Sequence, residues 1–264
     1  MSRPPHTTRL TRREMILLLG TMGAGTVALC SGATALLLSQ RKPDPVPLIV
    51  VVTNPPTSAN LRPAMVTRDQ WNALYPDSNA RNENGFYSPN NPYGWRIYEG
   101  DYHDVYRTIV VHHSVIYGNG DIATVRDVQQ LHQGERGWAD IGYHYLIGKD
   151  GTLFEGRDIG VRGTHVGGYN TGSVGVCVLG NTTTDGIPQA QWESLGVICS
   201  WLRAELPVTH IAGHRDFNPD TECPGDVLWN ALDQLATAIG LLRGVGGYEE
   251  PTTYKGCDCG CGVV

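Results

Sequence analysis

The sequence predicts one α/β domain with a mixed central β-sheet flanked by helices. Short β-branched runs alternate with helix-period segments, one pair of strands is joined by a tight turn, and all of this falls between residues 65 and 243. RTIVVHH (107–113) is a buried-strand candidate because its apolar run is continuous. TVRDVQQLHQG (124–134) places Val125, Val128 and Leu131 at helical spacing after a cap at Thr124. GYHYLIGKDGTLFEG (142–156) alternates around a Lys-Asp-Gly turn and reads as a hairpin. SVGVCVLG (173–180) is a second buried strand. IPQAQWESLGVICSWLRAEL (187–206) has Pro188 at a helix start, with Trp192, Leu195, Cys199 and Leu202 on one face. VTHIAGH (208–214) reads as a strand ending at His214, and DVLWNALDQLATAIGLL (226–242) as a last amphipathic helix.

The flanks differ in kind. Residues 1–40 begin basic, become apolar from Met15 to Leu38 and return to Arg41 and Lys42, the pattern of an export signal or membrane anchor. The Arg12-Arg13 pair before a Gly-rich run is twin-arginine-like. The chain is therefore expected outside the cytoplasm, exported or anchored to the membrane by this segment. Residues 41–64 are a Pro-rich linker, and residues 67–98, rich in Asn, Tyr and Pro, are an irregular lead-in that hugs the surface. Residues 244–264 read as a loose tail carrying Cys257, Cys259 and Cys261, to which the sequence assigns no role.

Composition excludes some classes. Of 264 residues, 41% are hydrophobic and 17% charged, so the chain is globular rather than disordered. A formal charge of −6 leaves no electrostatic footprint for nucleic acid. Seven cysteines, an odd number, do not make a disulfide scaffold in a chain this long. Cys177 and Cys199 fall on apolar faces and read as buried thiols.

The chemistry concentrates in GHRDFNPDTECPGD (213–226). His214 and Cys223 sit nine residues apart in a polar loop, and His112 or His113 ends the first strand. Two imidazoles and a thiolate suit a catalytic zinc, which takes three protein ligands and leaves a position for water. A structural histidine beside an inert cysteine is the alternative that spacing leaves open. His112 and His113 point to opposite faces, so only one of them can be a ligand.

Five motifs occur in order: TRDQW (67–71), VVHHS (110–114), GWADIGYHYLIGKDGTLFEGRD (137–158), THVGGYNTGSVGVCVLG (164–180) and GHRDFNPDTECPGD. Together they resemble the zinc-dependent N-acetylmuramoyl-L-alanine amidases, a family that includes the peptidoglycan recognition proteins and short phage amidases, over residues 66 to 241. The resemblance implies Zn²⁺ bound by His112, His214 and Cys223, with Tyr143 and Thr221 as catalytic groups. It further implies that His113, His165, Asn170 and Ser173 lie near a peptidoglycan or muropeptide substrate. Asp216 is a candidate partner for a ligand histidine. Some relatives carry a glutamate where this chain has Cys177, so no general base is assigned. Two other classes remain: a muropeptide-binding module, whose family members lack the cysteine ligand, and a cysteine hydrolase pairing Cys223 with His214.

Overall fold

The computed structural model describes residues 61–98 and 102–248. The segment 1–40, nearly all of the linker and the three tail cysteines lie outside the described residues. Among the described residues, no helix is long and apolar enough to cross a membrane.

β1 (Thr108–His113) runs through the middle of the sheet with all six residues buried. A strand paired on both edges and covered on both faces has no solvent side, which accounts for its unbroken apolar run. β4 (Ser173–Val178) and β5 (His210–Gly213) flank it in parallel. β2 (Tyr145–Ile147) pairs with β4 in parallel, and β3 (Leu153–Glu155) closes that edge antiparallel. β6 (Leu242–Arg243) pairs with β5 at the other edge, giving the order β3-β2-β4-β1-β5-β6. The sheet is mixed, as expected from parallel crossovers plus one hairpin.

Two apolar layers cover it. Ile109 and Val111 of β1 and Val174, Val176 and Val178 of β4 pack under α2 (Gln189–Glu205) and α4 (Asp226–Ile239). Leu228, Leu232, Leu235 and Ile239 recur every three or four residues on α4, and each such buried side chain contributes about 2 kcal/mol. Gly240 ends α4 in the left-handed region at φ 67°, which spares any Cβ the clash of that conformation. The opposite layer packs Val125 and Val128 of α1 (Asp121–Gln130) against Leu146, Phe154, Cys177 and Trp71. Cys177 and Cys199 are free buried thiols in different layers.

Three expectations change. α1 starts before Thr124, after Gly120; the Thr124 hydroxyl donates to the Gly120 carbonyl at 2.9 Å and accepts the Gly118 N–H at 3.0 Å, tying the first turn from within. A single π turn, Leu131–Glu135, follows α1. In it Leu131 is half-buried and His132 is buried. The lead-in does more than hug the surface: Trp71 is fully buried with its indole N–H on the Glu155 carbonyl at 2.8 Å, and Glu83 is buried against Arg157.

Candidate metal centre

β1 and β5 are parallel neighbours, and their C-terminal ends open at the same edge of the sheet, where α/β folds commonly place their sites. His112 is the fifth residue of β1. Its register partner on β4 is Cys177, which belongs to the α1 layer, so the His112 ring projects to that side. His214 follows directly on β5 and opens the short helix α3 (His214–Phe217). The loop after α3 then folds back. The Arg215 N–H bonds the Cys223 carbonyl at 2.9 Å, and the Thr221 N–H bonds the Asn218 carbonyl at 3.2 Å. This return brings Cys223 to the end of β1, where its Sγ lies 3.5 Å from His112 Nδ1 and accepts the His113 N–H at 3.5 Å.

One ligand atom each from His112, His214 and Cys223 therefore lies within 4.8 Å of the others. Their chemistry, two imidazole nitrogens and a sulfur, fits a zinc ion with a fourth position left for water. Burial keeps the imidazoles of His112 and His214 neutral by lowering their pKa values, so both offer lone pairs at pH 7. Burial also pushes the Cys223 thiol up to about 12. A cation in its place of approach reverses that, because coordination drives a thiol to its thiolate.

Tyr143 precedes β2, its ring 5.0 Å from that of His112 and 5.3 Å from that of His132. Burial, with Cys177 and Cys223 nearby, raises its pKa, so its phenol keeps the proton and serves as a hydrogen-bond donor. Thr221 Oγ1 accepts the Cys223 N–H at 3.2 Å, which leaves its own hydrogen free to donate.

The remaining candidates have hydrogen-bond partners within the fold. His113 projects to the other face, where burial lowers its pKa to about 4 and its Nδ1 accepts the Thr182 N–H at 3.3 Å. Asn170 Oδ1 accepts the N–H groups of His165 and Val166 at 2.7 and 2.8 Å, while the buried Ser173 donates to the Tyr169 carbonyl at 2.6 Å. Both side chains thus shape the loop that carries His165. Asp216 does not hydrogen-bond His112 or His214; its carboxylate accepts from Arg243, the Trp229 indole and the Gly213 N–H. His112 Nε2 is instead 3.0 Å from His165 Nδ1. His132, which sequence reading passed over, packs on Trp138 and accepts the Gly142 N–H at 3.0 Å. Its place seven residues after Val125 on the apolar face of α1 was the available signal. At the rim, Tyr169, Phe217 and Tyr248 form an aromatic cluster with ring centroids 4.9 to 5.7 Å apart, so the start of the expected loose tail is packed.

A family model described as N-acetylmuramoyl-L-alanine amidase matches residues 102–226, a span that holds every residue of this centre. The endolysin of Enterobacteria phage K11 is 39% identical over 135 residues, covering 48% of this chain and 87% of the endolysin. The chain belongs to the N-acetylmuramoyl-L-alanine amidase family. As a member it is a hydrolase, an amidase of peptidoglycan. Peptidoglycan-recognition protein LB of Drosophila melanogaster is 37% identical over 156 residues, covering 54% of this chain and 66% of that protein. Among solved structures, a mutant Drosophila PGRP-LB in complex with tracheal cytotoxin superposes with a TM-score of 0.51 at 29% identity, over 66% of this chain and 95% of the other. The amidase fold of this chain thus extends to the recognition proteins.

Proposed function

We propose that this amidase is zinc-dependent and cuts the amide between the lactyl group of N-acetylmuramic acid and L-alanine. The observation that carries the zinc assignment is the convergence of His112, His214 and Cys223 within 4.8 Å at the ends of two parallel strands. Zinc, when bound, activates water as a nucleophile at neutral pH and polarises the scissile carbonyl. His112 and His214 arrive neutral, and Cys223 gives up its proton on binding. Tyr143 keeps its hydrogen at neutral pH and donates it to the oxygen that gains charge as the carbonyl becomes tetrahedral. Thr221, anchored through the Cys223 N–H, supplies a second donor from the ligand loop. Donors held in place before reaction lower the barrier because they need not reorganise when the charge appears. The substrate class and the export-like pattern of residues 1–40 both support a place of work outside the cytoplasm.

The test is zinc content together with cleavage of purified muropeptides, for the full chain and its Cys223→Ser variant. One zinc per chain and release of L-alanyl peptides by the wild type, both lost in the variant, is the expected result. Cleavage that persists after exhaustive chelation would overturn zinc dependence. Zinc retained by both proteins without cleavage would turn the reading to a muropeptide-binding module.

A further inference from the structure

We propose that His165 is a positioning residue: it sets the tautomer of His112 and so aims His112 Nδ1 at the metal. The inference rests on His112 being a zinc ligand, as proposed above.

His165 Nε2 faces the Ser173 carbonyl at 3.4 Å, and a carbonyl can only accept, so this nitrogen carries the hydrogen. In a neutral ring the other nitrogen, Nδ1, is then an acceptor. It faces His112 Nε2 at 3.0 Å, which must therefore be the donor. His112 is left with its lone pair on Nδ1, the nitrogen 3.5 Å from Cys223 Sγ. A backbone carbonyl thus dictates, through one intervening ring, which nitrogen of His112 offers a lone pair.

The surroundings hold His165 in that place. A Cβ on Gly163 would come within 2.5 Å of its ring, and one on Gly175 within 2.6 Å, so two glycines make the room it occupies. Asn170 binds the backbone of His165 and Val166 through one carboxamide oxygen, and Ser173, which supplies the accepting carbonyl, ties the same loop through its hydroxyl. His165 is itself buried, which suits a support for a ligand better than a wall of the substrate groove. Metal-bound imidazoles depend on such partners, whose loss costs about 10–100-fold in metal affinity or activity.

The experiment measures zinc affinity by chelator competition on the full chain, for the wild type, His165→Leu and His165→Gln. Nitrogen-15 imidazole spectra of the metal-free wild type are recorded alongside. Leucine offers no acceptor to His112, whereas the glutamine amide oxygen does. We expect the leucine variant to bind zinc about 10–100-fold more weakly, with most of the affinity restored by glutamine. The spectra should show the His112 hydrogen on Nε2. A folded leucine variant with wild-type zinc affinity and a raised KM would overturn the proposal in favour of a substrate contact. A His112 hydrogen on Nδ1 would overturn it without any variant, and so decides the matter even if both substitutions prevent folding. A wild type that takes up no zinc would instead sink the metal assignment itself, a failure separable from this one.

Discussion

Each ionisable group of the centre is held neutral in the folded chain, and in every case the largest cause is burial. The two imidazoles lose their tendency to protonate, and the thiol and the phenol lose their tendency to ionise. A thiol pushed up to about 12 is a poor nucleophile at pH 7, which weighs against a cysteine hydrolase built on Cys223 and His214. The same neutrality makes Tyr143 a donor and not a base. Tyr143→Phe keeps the ring and its packing and removes only that donor. Its kcat should fall by about 10²–10³-fold while zinc content stays at the wild-type value. Steady-state kinetics with metal analysis checks both, and an unchanged kcat would remove Tyr143 from the reaction.

At the level of elements, strand register separates two histidines that are adjacent in sequence. β1 ends in His112 and His113, and alternation sends them to different layers; only the register opposite Cys177 and the return of the 218–225 loop select His112. The turn after α1 carries another buried histidine, His132. His132 and His144 titrate at about 3 and about 4 in the folded chain, in both cases chiefly through burial, against about 6.5 when unfolded. Between those values the unfolded chain binds more protons. Stability is therefore full above about pH 6.5 and falls as the solution is acidified towards pH 4, by up to about 1.4 kcal/mol per pH unit for each histidine. Urea unfolding of metal-free protein at pH 7 and pH 5 should show that loss. His144→Gln should flatten the dependence by one such increment, and a parallel profile would show that His144 does not drive it.

Across the whole molecule, the irregular lead-in is stapled to the sheet by charge as well as by Trp71. Arg157 donates to both oxygens of Glu83, at 2.6 and 2.9 Å, and also reaches the carbonyls of Asp140, Ile141 and Arg162. Glu83 in turn accepts the Ala139 N–H and the Thr164 hydroxyl, so one buried pair joins the lead-in, the segment before β2 and the loop before His165. Glu83→Ala leaves a buried guanidinium without its counter-charge. Its unfolding free energy should drop by about 3–5 kcal/mol, read from urea melts, and a loss below about 1 kcal/mol would class the pair with exposed bridges.

Much of this protein was determined by its sequence alone. Continuous β-branched runs, helix-period faces and the Lys-Asp-Gly turn carry the α/β class, because period and burial are local properties of the chain. The ordered motifs also singled out His112, His214 and Cys223, which the fold brings within 4.8 Å of one another, and the neighbouring Tyr143. Tertiary structure alone decided how these residues are served. That Asp216 turns to Arg243 while His165 turns to His112 depends on contacts between segments more than fifty residues apart in the latter case, which no periodicity encodes. The burial of Glu83 likewise depends on Arg157, 74 residues away, being there to neutralise it. Local pattern specifies which side chains a strand or helix presents, but a buried polar group is stable only beside a partner that long-range folding delivers.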